Sequence, residues 1–168
     1  DDVVLLARRN RLPWYGDSRL VNAQNFQVLE EVLSHIHRYL PEDDRRRVTI
    51  STAHAYKGLE SSAVIVLDAV ERSFPLIHPS WVFLRVFGDS AASIEAEERR
   101  LFYVAVTRAQ KVLLLVTEAS KESPFIRDAL QEFDLASLDW SLLRPAASLE
   151  DPKIEIRVHN AWEVRDIL

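Results

Sequence analysis

At 168 residues the chain fits one ordinary domain, and 48% hydrophobic with 28% charged residues describes a soluble globular protein able to bury a core. The complete lack of cysteine excludes disulfide scaffolds, cysteine–zinc sites and thiol catalysis, and a formal net charge of −5 argues against nonspecific coating of nucleic acid, so any DNA contact must be focal. No apolar run approaches the ~18 to 20 residues needed to cross a bilayer and the acidic opening Asp1-Asp2 is no signal peptide, which makes a cytoplasmic protein with no membrane partner the expectation.

Four short segments, residues 3–7, 48–52, 63–67 and 112–117, are continuous, rich in β-branched residues and read as strands buried on both faces, as in a parallel sheet. Between the first two, residues 23–39 carry Phe26, Leu29, Val32, Leu33, Ile36 and Leu40 at helical spacing before Pro41, which predicts an amphipathic crossover helix. A second crossover helix is expected over 94–107, with Leu101, Phe102, Val104 and Ala105 on its apolar stripe and Glu95, Glu97 and Glu98 favouring its N-terminal end.

The stretch 71–93 holds Pro75, Pro79, Trp81, Phe83 and Phe87 without a clean period and reads as an irregular excursion with one short helix. A further helix is expected over 124–133, followed by a connector through Ala147. Beyond Pro152, Ile154, Ile156 and Val158 alternate with polar residues like an exposed strand, and a helix begins at Ala161, so residues 148–168 read as the start of a truncated module after a main domain over 1–147. The absence of methionine reads as a fragment excised from a longer chain. Strands alternating with helices imply an α/β fold whose ligands sit beyond the carboxyl ends of the strands.

Two segments carry chemistry. "TISTAHAYKGLE" ends a strand in a hydroxyl, an imidazole, a lysine and a glycine, which places Thr52, His54, Lys57 and Glu60 on the loop at the strand's carboxyl end. Hydroxyl, imidazole and backbone donors hold a phosphodiester backbone without reading bases, and a carboxylate accepts hydrogen bonds from ribose hydroxyls. A polar strand-to-helix turn capped by Thr52 explains the same spacing equally well. "EAEERRLFYVAVTRAQKVLLLV" runs a helix through Thr107-Arg108 into a buried strand, so Arg108 projects from the sheet edge where a nucleotide would bind. A guanidinium there can grip a γ-phosphate as an arginine finger does. Glu97, Glu98, Arg99 and Arg100 are read instead as a solvated charged face.

Taken in this order around a buried strand, the two segments resemble the fifth and sixth helicase motifs of the UvrD/Rep/PcrA family of superfamily-1 DNA helicases, near TVHxxKGLE and EERRLxYVxxTRA. "LLARRN" at 5–10 is similar, more weakly, to the family's strand followed by YRSN, with Ala7 in place of the tyrosine. The resemblance covers about residues 3–117. It implies the second RecA-like motor domain of an ATP-dependent 3′–5′ helicase acting on single-stranded DNA, with DNA repair as a setting the family suggests. Its nucleotide, ATP with Mg2+, would be held mainly by an N-terminal motor domain of the same parent chain. By position, Thr52, His54, Arg8 and Asn10 would be DNA-binding, Glu60 and Gly58 nucleotide-binding, and Arg108 both nucleotide-binding and catalytic; no metal ligands are expected here. Tyr56, where a small residue is common, and Ser61, where an aromatic is usual, depart from the pattern.

None of the three glycines, Gly16, Gly58 and Gly88, opens a phosphate-binding Gly-x-x-x-x-Gly-Lys-Ser/Thr loop, so the chain alone is expected to be inactive as an ATPase. The ~40 residues between the first two strands leave no room for the large accessory subdomain of the family, which suggests a compact variant or a chain from which that subdomain was removed. Two alternatives remain: a non-catalytic RecA-like nucleic-acid or protein-binding module, and, less well supported, a self-contained enzyme using His35, His37 or His54.

Overall fold

A computed structural model describes residues 1–13, 26–77, 90–118, 120–132 and 135–137. Among these residues four strands form one parallel sheet: β1 (Val3–Ala7), β4 (Val48–Thr52), β5 (Ser61–Val66) and β6 (Ala109–Leu115), in the order β4-β1-β5-β6. Two short strands, β2 (Arg11–Pro13) and β3 (Phe26–Val28), pair antiparallel beside it. The helices are α1 (Leu29–His37), the single turn α2 (Glu42–Arg45), α3 (Ala91–Val106) and α4 (Pro124–Glu132).

Alternation along β1 explains the layering, because successive side chains of a strand point to opposite faces. Val4 and Leu6, with Val64 and Val66 of β5, face a fully buried cluster that includes Phe74, Phe102, Ala105, Val106 and Phe125. The rings of Phe102 and Phe74 meet edge to face at 5.1 Å, and Phe125 lies 5.6 Å away on the other side. All three rings are fully buried, so truncating Phe102 to alanine would cost about 3 to 5 kcal/mol. On the opposite face Ala7, Leu12 and Leu29 are buried with Val32, Ile50 and Leu67 packed against them, so α1 covers that side.

The expected α/β class with a parallel sheet and flanking helices is what the chain adopts. Three details differ. Helix α1 begins at Leu29 rather than at residue 23: Phe26–Val28 pairs with Arg11–Pro13, and Val28 is extended at φ −71 and ψ 147. Strand pairing there overrides a helical spacing that Phe26 matches. Strands β4 and β6 are not buried on both faces, because they are the sheet's edges and most of their residues are partly exposed. Helix α3 starts three residues early, since Ser90 and Ser93 form a capping box in which each side chain accepts the other's backbone N–H at 3.0 Å. The short helix expected within 71–93, the elements expected beyond 147 and the 147/148 boundary itself lie outside the described residues, apart from the irregular path of 71–77.

Candidate functional site

Parallel register fixes which end of the sheet each candidate occupies. Ala7 pairs with Thr52 and Leu6 with Val66 at the carboxyl edge, whereas Val3 pairs with Val48 and Ser61 with Ala109 at the amino edge. Arg8, Asn10, Thr52 and His54 therefore stand at the carboxyl edge, and Glu60 and Arg108, each immediately before a strand, stand at the amino edge. The expectation that the whole of "TISTAHAYKGLE" sits at a strand's carboxyl end is corrected. Strand β5 runs parallel to β4 and starts at Ser61, so residues 53–60 must carry the chain back across the sheet, roughly 17 Å at about 3.3 Å per strand residue.

A tight run of turns makes that return. The Ala55 N–H donates to Thr52 Oγ1 at 3.2 Å and the Tyr56 N–H to the Thr52 carbonyl at 3.0 Å, so Thr52 does cap the turn. Its hydroxyl accepts one bond and keeps its own proton to donate. Tyr56 packs its ring against the main core and its hydroxyl donates to the Glu60 carbonyl at 3.3 Å. The larger residue at this position is accommodated by the core and ties the two ends of the turn together. Gly58 adopts φ +88, a conformation that L side chains rarely enter. His54, Lys57 and Glu60 are exposed, and among the described residues the side chains of His54 and Lys57 have no hydrogen-bond partner.

Arg108 joins the second segment to the first. Its Nε donates to the Val104 carbonyl at 2.9 Å, Nη2 to Thr107 Oγ1 at 3.1 Å and Nη1 to the Leu59 carbonyl at 3.3 Å. Among the described residues three of the five N–H groups are thus used in orienting the side chain and two make no bond. Beside it, Gln110 Nε2 donates to Glu60 Oε2 at 3.1 Å. A guanidinium and a carboxylate are thus brought together beside the left-handed Gly58 turn at the amino edge, not at the carboxyl ends where ligands of such a sheet were expected, and their chemistry suits a phosphate and a sugar hydroxyl.

At the other edge Arg8 is paired with Glu98, from Nε at 2.9 Å and from Nη2 at 2.5 Å, with side chains 20% and 10% exposed. The Leu76 N–H donates to the same carboxylate at 2.9 Å. Glu98 is therefore no part of a solvated face, and that reading is corrected. It shares the inward stripe of α3 with Leu101, Phe102 and Ala105, three, four and seven residues on, and that spacing was the signal in the sequence that marked it. Arg99 also departs from the solvated reading: it bonds Asp128 at 2.9 Å and lies 4.7 Å over the Phe125 ring. Glu97 and Arg100 are exposed as expected. His37 Nε2 lies 3.1 Å from the Val48 carbonyl at the start of β4.

Among the described residues no group of three or more histidine, aspartate and glutamate side chains is arranged to hold a metal ion, and no helix is long and apolar enough to cross a membrane. Comparison with known proteins then gives the sequence a setting. The family model for the UvrD-like helicase C-terminal domain matches residues 19–120. A probable DNA helicase of Mycoplasma pneumoniae is 42% identical over 71 residues, which cover 42% of this chain and 12% of that protein. The putative ATP-dependent DNA helicase YjcD of Bacillus subtilis is 38% identical over 105 residues, 60% of this chain and 13% of that protein. ATP-dependent DNA helicase PcrA of Staphylococcus aureus is 37% identical over 79 residues, 47% of this chain and 10% of that protein. The matched stretches span little more than a tenth of the length of these relatives.

Proposed function

The chain belongs to the UvrD-like helicase C-terminal domain family, and from that premise we propose that it works as the second RecA-like motor domain of an ATP-dependent 3′–5′ DNA helicase. The observation that supports this most is the sorting of the candidates onto two edges of one sheet. Gly58, Glu60 and Arg108 gather at the amino edge, and Arg8, Asn10, Thr52 and His54 stand at the carboxyl edge. A motor must hold nucleotide and track in separate places while keeping them mechanically joined, and this arrangement provides both.

Each residue has a role suited to its chemistry. Arg108, already oriented by three hydrogen bonds, would present its two remaining N–H groups to a γ-phosphate. The Glu60 carboxylate, steadied by Gln110, would accept from a ribose hydroxyl, with Gly58 allowing the backbone to turn beneath it. Thr52, His54, Arg8 and Asn10 would contact the backbone of single-stranded DNA. ATP supplies the phosphoryl group when bound, and it and Mg2+ would be held mainly by an N-terminal motor domain of the same parent protein in the cytoplasm. On this reading residues 1–147 form the motor domain, residues 148–168 begin another module, and the chain alone has no ATPase.

One observation favours a second reading, a RecA-like binding module without a motor: every nitrogen of Arg108 is already bonded within its own domain, as a structural brace would be. Steady-state ATPase of the complete protein with single-stranded DNA separates the two. The motor reading expects Arg108→Ala to abolish turnover while the protein stays folded, and near-normal turnover would leave the brace.

A further inference from the structure

A charged pair withdrawn from water at the carboxyl edge is not accounted for by the roles above. Glu98 is 10% exposed, accepts from Arg8 twice and from the Leu76 N–H once, and so joins the residue after β1 and the segment after β5 to the helix that carries it. The carboxylate cannot follow Arg8 outward without abandoning Leu76. Arg8 is the more exposed partner at 20%, and among the described residues its Nη1 makes no hydrogen bond. Two N–H groups on Nη1 and one on Nη2 are left on the side away from the carboxylate.

We infer that Glu98 is a positioning residue that fixes the Arg8 guanidinium in advance for a phosphate oxygen. This rests on the reading of Arg8 as a phosphodiester contact. An arginine free in solvent loses its rotamer freedom when it grips a phosphate, whereas one already held by a bidentate carboxylate has lost that freedom on folding. The helix that carries Glu98 also leads into Arg108, so one rigid element orients a guanidinium at each edge of the sheet.

The test measures binding to the complete protein without turnover, in two arms: a fluorescent oligo(dT) across a range of salt, and a non-hydrolysable ATP analogue. Glu98→Gln keeps an acceptor for Leu76 and removes the charge. It should weaken oligo(dT) binding about tenfold and flatten the salt slope by the share of one contact. Arg8→Ala should do the same, and adding Glu98→Gln to it should change nothing further. Glu98→Asp, which restores the charge at shorter reach, should recover part of the loss and serves also if Glu98→Gln fails to fold. If the nucleotide arm weakens instead, the positioning role stands and the DNA assignment of Arg8 fails. Weakening by Arg8→Ala with unchanged binding in folded Glu98→Gln overturns the inference alone, as does tighter binding, which would make Glu98 a competitor for Arg8. An unchanged Arg8→Ala in both arms removes the phosphate contact and the inference with it.

Discussion

Arg108 and Leu59, 49 residues apart in sequence, are joined by a hydrogen bond from the guanidinium Nη1 to the Leu59 carbonyl at 3.3 Å. That bond ties the end of α3 to the turn before β5, a bracing role separable from the finger role proposed for Arg108. As a finger it should lower a barrier, with Arg108→Ala reducing kcat in the complete protein by ~10³ to 10⁵, and Arg108→Lys rescuing little because an ammonium lacks the planar fork. As a brace it contributes only about 1 kcal/mol, so the melting temperature should fall by a few degrees at most. Parallel measurement of kcat and thermal melting reads both, and a large melting shift with preserved kcat would reverse the assignment.

Thr52 and His54 should respond differently to truncation. Thr52 caps the turn through Ala55, so Thr52→Ala should cost about 1 kcal/mol of stability, and Thr52→Ser should keep most of it. His54 is exposed and has no hydrogen-bond partner among the described residues, so His54→Ala should leave melting unchanged while reducing stimulation of the ATPase by single-stranded DNA. Equal losses of stability in both variants would return the whole loop to a packing role.

Gly58 isolates a purely conformational effect. A Cβ at this position would meet no heavy atom within 4 Å, so any penalty of Gly58→Ala comes from φ +88 and not from a clash. The expected loss is about 1 to 2 kcal/mol, with Gly58→Asn milder because asparagine tolerates left-handed backbone. Chemical denaturation of the two variants checks the order, and an alanine variant as stable as the parent would show that the turn relaxes freely.

Glu60 makes a prediction about nucleotide choice. If its carboxylate accepts from a ribose hydroxyl, Glu60→Ala should raise KM for ATP about tenfold with little change in kcat. It should also shrink the parent's discrimination against a deoxy analogue. Gln110→Ala, which only releases the carboxylate, should give a smaller change in the same direction. Discrimination that survives in Glu60→Ala places the sugar contact elsewhere.

Continuous β-branched runs showed all four sheet strands within about three residues, and the 3.6-residue stripe revealed α3, because both patterns follow directly from burial. Edge exposure of β4 and β6 was not legible, since a buried run looks alike in a central and a peripheral strand until strand order is known. The start of α1 was misplaced because Phe26 fits a helical stripe while its backbone serves a strand pair. For the site, the residue types and their grouping into two motifs were readable, but the two edges were not: a loop's destination depends on whether the next strand is parallel. Glu98 was hidden among charged neighbours, although its spacing to Phe102 and Ala105 placed it inward.

Eight residues, 53–60, link the edge assigned to DNA with the edge assigned to nucleotide, and they are anchored at one end by Thr52 and at the other by Tyr56 and Arg108. On the proposed reading, a communication path of that length needs no relay through the core. Thermodynamic reciprocity then sets a strict condition: whatever factor DNA at His54 imposes on nucleotide affinity at Glu60, nucleotide must impose on DNA affinity in return. A stiff connector makes that factor large and a slack one makes it vanish. The aromatic ring of Tyr56, packed against the core, would stiffen this connector, so on the same reading the coupling should depend on how tightly that one phenol is held.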